Sequence, residues 1–444
     1  MKRNLLKLFV LSFIVLTIPL SKTVYAQSLD MAVASGNTLL LGELNPASQM
    51  DRSYIVFPLF GNIALNASAP TNLNKAVTTN ADGNYLNADK VAKALDKRSM
   101  NVNLNMDIIS FGVKFKKDHM ITFSTKAKVD ADAMLPGDAV TFLTSNPLTA
   151  LNSYNLNLGA NAIGYGEVAV GYSYNVWRNL TVGVKFKYLA GFMYAGSDSY
   201  ADLLLRDDAT YDVKGDIDMR LVGVDTENDN DIDIGANSGF GFDFGAEYDF
   251  EDLGLKVGLS MTDIGFIKWG SGASTRLLSS DPNGVYHFIG VEDMGQYLEE
   301  GSDFQDGLDV LQDDLLNALN VDTIYNSSFK SNLAPKLNIY GSYAIDNARR
   351  HNVSLNMITR FNPGKALKND FAATVGYTYC NKRDNFRALA GYTISNRLGS
   401  KFSAGIVTEG RGGEFFFLVD AFPARSVGFR IGGAFYLGRK TVTN

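Results

Sequence analysis

What most constrains this chain is the length over which its side chains alternate. Leu180, Val182, Val184, Phe186, Tyr188, Ala190, Phe192 and Tyr194 fall on one side of an extended backbone. Thr181, Gly183, Lys185, Lys187, Leu189, Gly191 and Met193 fall on the other. Successive strand residues point to opposite faces, so one face is apolar and the other mostly small or charged. The pattern returns at 237–250, where Phe240, Phe242, Phe244, Ala246, Tyr248 and Phe250 oppose Gly241, Asp243, Gly245, Glu247 and Asp249. Strands of soluble proteins average about 5–6 residues. A membrane-crossing strand needs roughly 9–11, with apolar residues toward lipid and polar ones toward a lumen. The chain therefore reads as all-β, a transmembrane antiparallel β-barrel.

The first residues fit an export signal. Lys2, Arg3 and Lys7 precede an apolar run from Leu8 to Leu20, and Val24-Tyr25-Ala26 supplies small residues at the cleavage positions. Residues 1–26 are read as a signal peptide, with Gln27 starting the mature chain. No later apolar run reaches the roughly 18 residues of a membrane helix, and a mean hydropathy of -0.04 suits a barrel whose alternation hides its membrane face. The net charge is -6, and removing a leader with four cations and no acids takes it near -10. That balance argues against nucleic acid as a partner. Cys380 is the only cysteine, so no internal disulfide can form.

Turn signals and alternation give about fourteen strands, with twelve or sixteen as the neighbouring even counts. They fall near 53–66, 101–115, 120–129, 164–175, 180–194, 237–250, 255–268, 334–345, 352–361, 370–380, 385–394, 400–408, 414–421 and 426–437. Short turns follow the even-numbered strands, and long excursions follow strands one, three, five and seven. Outer-membrane barrels have short periplasmic turns, longer extracellular loops and even strand numbers. The domain plan is thus an N-terminal periplasmic plug segment at 27–52, a barrel at 53–437 in the Gram-negative outer membrane, and a tail at 438–444. Aromatics gather near strand ends (Tyr172, Tyr174, Trp177, Tyr248, Phe250, Tyr377, Tyr379), and Trp269 is expected at the opposite rim, since amphipathic rings suit the headgroup level.

The excursions carry the unusual composition. A helix is expected at Ala88–Lys97. Residues 195–236 hold twelve acids against Arg206, Lys214 and Arg220, and parts of 209–224 would extend as strand beyond the membrane. The insertion 270–332 has eleven acids and no Lys or Arg between Arg276 and Lys330. Its Leu308, Leu311, Leu315 and Leu319 sit at helical spacing. Such an acidic cap would repel anions, although a solvated loop surface is the plainer reading. Asp225, Glu227, Asp229, Asp231 and Asp233 offer hard oxygen ligands suited to calcium. The glycine an EF-hand needs is missing, so an exposed turn is preferred, and no other cofactor is expected. His119, His287 and His351 are the only histidines, and none sits in a Ser-His-carboxylate pattern, so the chain is read as a non-enzyme.

Ahead of the first strand lies Gly42-Glu43-Leu44-Asn45-Pro46-Ala47, in which Asn-Pro favours a tight turn. With its Asn45, Pro46 and Ala47, this segment resembles the long-chain fatty-acid transporter superfamily, where a short N-terminal hatch plugs a fourteen-stranded barrel. The run Met261–Trp269, with Asp263, Gly265, Phe266 and Trp269, is similar to one in a group of uncharacterised barrels (a domain of unknown function) within that superfamily. More distantly the chain resembles the shuttle barrels of type IX secretion. The resemblance implies contact with outer-membrane lipid and uptake of small hydrophobic molecules. The acid-rich excursions 195–236 and 270–332 depart from that family, and the rival reading is a binding or assembly component that docks a secreted or surface protein through them.

Overall fold

A computed structural model describes residues 31–438 of the protein except 59, 69–76, 81–82, 87–98, 135–137, 139–152, 156–157, 206–210, 217, 224–236, 271–273, 280–284, 289–320, 326, 364–368, 397–398 and 422–425. Fourteen spanning strands form one antiparallel sheet closed on itself. They are β1 (Ser53–Val56, resuming as Ile63–Ser68), β2 (Ser99–Phe115), β3 (His119–Met134), β4 (Leu158–Trp177), β5 (Leu180–Leu205), β6 (Ser238–Phe250) and β7 (Leu255–Trp269). Then follow β8 (Phe329–Asn332, resuming as Lys336–Ala344), β9 (His351–Arg360), β10 (Asp370–Cys380), β11 (Phe386–Ser395), β12 (Gly399–Glu409), β13 (Gly413–Ala421) and β14 (Ser426–Leu437). Each pairs with its sequence neighbours, and β1 closes the ring against both β14 and β2. Closure leaves no sheet edge, the condition for a sheet to sit in hydrocarbon. Among the described residues no helix is long and apolar enough to cross a membrane.

The expected alternation is realised in space. Val184 and Phe244 are each 49% exposed on the outer face, while Lys187 and Asp243 between such residues are 3% and 2% exposed on the lumen face. The phase does not hold to the ends, however. Tyr165 pairs with Gly191 and Gly164 with Met193, so Phe192 is a bulge that turns the following residues over. Tyr194 packs inside, against Trp269 and Phe329, not on the lipid face the sequence suggested. The strands near the long excursions are also longer than expected. β5 runs to Leu205, and Tyr211–Asp216 and Asp218–Val222 return along it as the 209–224 reading anticipated.

Two local breaks matter for the interior. Between the pairs Ile55–Phe435 and Ile63–Ile431, β1 advances eight positions and β14 only four. The surplus makes a turn at Phe57–Gly61, stitched back to the wall by Gly433 N–H donating to the Phe60 carbonyl (3.0 Å) and Asp107 N–H to the Asn62 carbonyl (2.9 Å). In β7 the register shifts opposite Phe242 and Phe244, and Asp263 takes φ +58°, a left-handed backbone that Asp tolerates better than most residues.

Candidate functional site in the barrel lumen

The barrel is filled from its own N-terminus. Residues 31–50 lie against lumen-facing side chains, and a six-residue helix, α1 (Leu39–Leu44), buries Leu40, Leu41 and Leu44 almost completely. Together with Met120, Leu389, Phe416 and Leu418 from the walls they form the larger apolar cluster among the described residues. Polar anchors come from many strands. Leu39 N–H donates to Glu414 (2.8 Å), Arg387 donates to the Ser35 carbonyl (3.1 Å), and the Thr378 hydroxyl donates to the Ala34 carbonyl (2.7 Å). The Leu44 carbonyl accepts from Ser260 (2.6 Å) and Asn338 (3.3 Å).

Asn45, Pro46 and Ala47 end α1 at the wall. The Asn45 amide donates to the Ala246 carbonyl (3.0 Å) and to Tyr340 Oη (2.9 Å), while its own oxygen accepts Ala47 N–H (2.9 Å). A side chain on Gly245 would overlap Asn45, and one on Gly183 would overlap Pro46. Glycine at these two wall positions is what lets the turn come so close.

Glu43, unnoticed in the sequence beyond its place before Asn45, is the electrostatic hub. It accepts from Lys126 (2.6 Å), Asn62 (2.8 Å), Arg430 (3.3 Å) and Asn105 (3.3 Å). Burial by itself would raise this carboxyl, but Lys126 and Arg430 outweigh it and hold its pKa down at about 2. Through Asn62 the hub also grips the turn that interrupts β1.

Above the segment runs a belt of paired charges. Lys187 meets Asp243 (2.7 Å) and Asp263 (2.7 Å), Lys128 meets Glu167 (2.7 Å), and Lys336 meets Asp263 (3.0 Å). Asp263 thus collects cations from β5 and β8, while its N–H donates to Asp243 (2.8 Å). Arg360 of β9 reaches Asp130 (2.7 Å) and Asp132 (2.8 Å) of β3. These strands are not neighbours, so this bridge spans the lumen. A cavity of about 230 Å³ runs from Glu43 of the segment along the belt to the apolar side chains past it, with two kinds of wall: an apolar arc that includes Leu104, Ile163, Tyr165, Leu333 and Ile358, and the charged belt itself.

Beyond the belt sits a second apolar cluster of Ile163, Tyr165, Leu189, Val222, Ile267, Trp269 and Leu333. Trp269 is fully buried and donates its indole N–H to Ser331 (2.8 Å). It faces inward and is not part of an outer aromatic girdle, which corrects the rim position expected for it. Gly265 lies against the β6 backbone, where a Cβ would strike the Phe240 carbonyl, and Lys330 sits over the Phe266 ring at 3.8 Å. Asp225, Glu227, Asp229, Asp231 and Asp233 lie outside the described residues, as do the leader, the helix expected at 88–97 and the leucine repeat at 308–319. The sequence signal for most lumen charges was present, since they occupy the non-apolar phase of their strands; Asp263 is the exception, brought inward by the register shift of β7. Their pairing across strands was not readable.

A closed fourteen-stranded barrel, apolar outside and charged within, defines a membrane-spanning barrel of the outer-membrane type. The chain matches the model of the "Family of unknown function (DUF5723)" over residues 46–420 and belongs to that family. No curated protein matches it. Among solved structures it is similar to the toluene transporter TbuX of Ralstonia pickettii, with 10% identity, 90% of this chain and 94% of that one covered, and a TM-score of 0.43. A Pseudomonas aeruginosa FadL homologue matches with 9% identity, coverage of 93% and 99%, and a TM-score of 0.43. The toluene transporter TodX of P. putida matches with 10% identity, coverage of 88% and 92%, and a TM-score of 0.41.

Proposed function

We propose that this chain is an outer-membrane channel that takes up small hydrophobic molecules carrying a polar group, with residues 31–50 acting as a plug. The observation that carries this is the two-faced cavity directly above the docked segment. Its apolar arc offers a surface for a hydrocarbon body, and its belt of buried lysines and carboxylates offers partners for a polar end. The plug is held by polar anchors from several strands, Glu43 and Asn45 among them, and by the apolar cluster around α1, and uptake requires those contacts to yield. In this reading residues 1–26 direct export, the short turns face the periplasm, and solute moves inward once the Arg360 bridge and the plug yield.

The test is flux into liposomes holding the purified barrel, using a fluorescent amphiphile, a neutral aromatic and a sugar of similar size. The wild type is expected to pass the first two slowly, and a chain lacking residues 27–50 to pass them quickly. No flux of any solute through either form, with the barrel shown to be folded, overturns the proposal. Preference for the sugar in both forms would assign the lumen to polar solutes instead.

A further inference from the structure

The short-turn rim carries one side-chain arrangement twice. His119 opens β3 and stands opposite Tyr174 of β4, with ring centroids 4.4 Å apart, and its Nδ1 is 2.7 Å from the Tyr172 hydroxyl. His351 opens β9 and stands opposite Tyr379 of β10 at 5.5 Å, and its Nδ1 is 2.7 Å from the Tyr377 hydroxyl. Tyr172, Tyr377 and Tyr379 are exposed on the outer, lipid-side face. With Nδ1 taken by a phenol, each imidazole has Nε2 left, and among the described residues nothing engages it.

Each cluster is also preceded by two basic residues, Lys116-Lys117 and Arg349-Arg350. Lys116, Lys117 and Arg349 adopt φ of +51°, +63° and +51°. Left-handed turn positions favour Gly, Asn or Asp, and a long basic side chain is an unfavourable choice there on backbone grounds. Among the described residues, three of the five non-glycine positions with positive φ are these cations, which points to charge at the rim as what these positions serve. Asp118 follows Lys117 in the first turn and Asp346 lies near Arg350 in the second, so each turn keeps one net positive charge. Arg350 has a 3.8 Å contact with Asp346 and Arg349 donates to the Glu251 carbonyl (3.1 Å), but Lys116 and Lys117 are exposed with no partner among the described residues.

We infer that each His-Tyr-Tyr cluster with its basic pair is a binding site for the headgroup of an anionic phospholipid. Two cations and an imidazole N–H meet the phosphate, and outward tyrosines flank the glycerol level, where amphipathic rings belong. The inference rests on the topology above, in which the short turns face the phospholipid leaflet. It does not depend on whether solute passes the lumen.

Trp177 tests it, being 75% exposed beside the first cluster, with the Asn175 N–H on the Asp118 carbonyl (2.9 Å) tying its turn to that one. The only other tryptophan, Trp269, is buried and reports folding. The full barrel is placed in nanodiscs mixing unlabelled lipid with brominated phosphatidylglycerol or brominated phosphatidylcholine, and Trp177 quenching is compared. A preference for the glycerol lipid of about five-fold or more is expected from the rim cations. The double variant K116N/K117G supplies residues that suit the left-handed backbone. It should fold at least as firmly, with unchanged Trp269 emission, and lose the preference at Trp177. Native mass spectrometry should show two retained phosphatidylglycerol molecules, falling to one in K116N/K117G and one in R349N/R350Q. Equal quenching by both lipids in the wild type, or a preference that survives K116N/K117G, overturns the inference.

Discussion

At the scale of single residues, the lumen shows why a buried charge is safe only in company. Glu43 has two cations and two amides around it. Replacing it by Gln would leave Lys126 with Asp107 at 2.9 Å and Arg430 without its carboxylate. Removing one member of a buried pair typically costs about 3–5 kcal/mol. Glu43→Gln should therefore release the segment, seen as a rise in single-channel conductance and as protease cleavage within 31–50. Because the docked carboxyl lies below its ordinary 4.5, at about 2, its contribution is complete above pH 4.5. It fades as pH falls through about 2, a loss on the order of 3 kcal/mol. Titration of Glu43 alone leaves protease access to the segment flat from pH 8 to 5 and raises it only below pH 4. A rise centred near pH 6 would mean that another group controls docking. Asn45→Ala removes the donor to Ala246 and Tyr340 at a cost of about 1–3 kcal/mol, and should loosen the same segment without unfolding the barrel.

At the scale of elements, close approach governs. The Asn45-Pro46-Ala47 turn touches β5 and β6 because Gly183 and Gly245 have no side chain. Gly245→Leu should leave barrel folding intact, read as heat-modifiable gel mobility, and displace the segment, read by the same protease assay. The β7 irregularity follows a related logic. Asp263 accepts a left-handed backbone and in return faces two strands' lysines at once. Asp263→Gly would ease the backbone but take from Lys336 its 3.0 Å carboxylate and leave Lys187 with Asp243 as its one close partner. A lower melting temperature than that of the wild type is expected, showing that charge outweighs strain. The short-range part of this was legible, since an Asn-Pro turn and a glycine-rich strand can be read from neighbours alone. The extra residues at Phe192 in β5 and near Asp263 in β7 were not legible, because period-two counting has no term for them; the first reversed the face of Tyr194 and the second that of Trp269.

At the scale of the whole molecule, the interior is layered. A segment-filled apolar end, a charged belt and a second apolar cluster succeed one another from the short turns to the long excursions. The bridge from Arg360 to Asp130 and Asp132 is the tie across that belt. Arg360→Ala combined with removal of residues 27–50 should raise conductance above either change alone. Simple additivity would mean that the two closures act in parallel and not in series. The second apolar cluster, with Trp269 in it, lies between the belt and the excursions.

Alternation, spacing of turns and connection lengths were enough to give the strand count, the closed antiparallel topology and which side of each strand meets lipid. These are properties of a residue and its near neighbours, and period two is set by the backbone itself. The sequence also marked Lys187 and Asp243 as inward by phase, whereas Asp263, in phase with the lipid-facing Leu259 and Met261, turns inward only through the extra residue in β7. Which of them pair, that Glu43 joins Lys126 of β3 to Arg430 of β14, and that Arg360 spans the lumen were settled only by closing the ring. Closure brings together side chains hundreds of residues apart, and a buried charge chooses its partner by distance in space, which one-dimensional order does not encode.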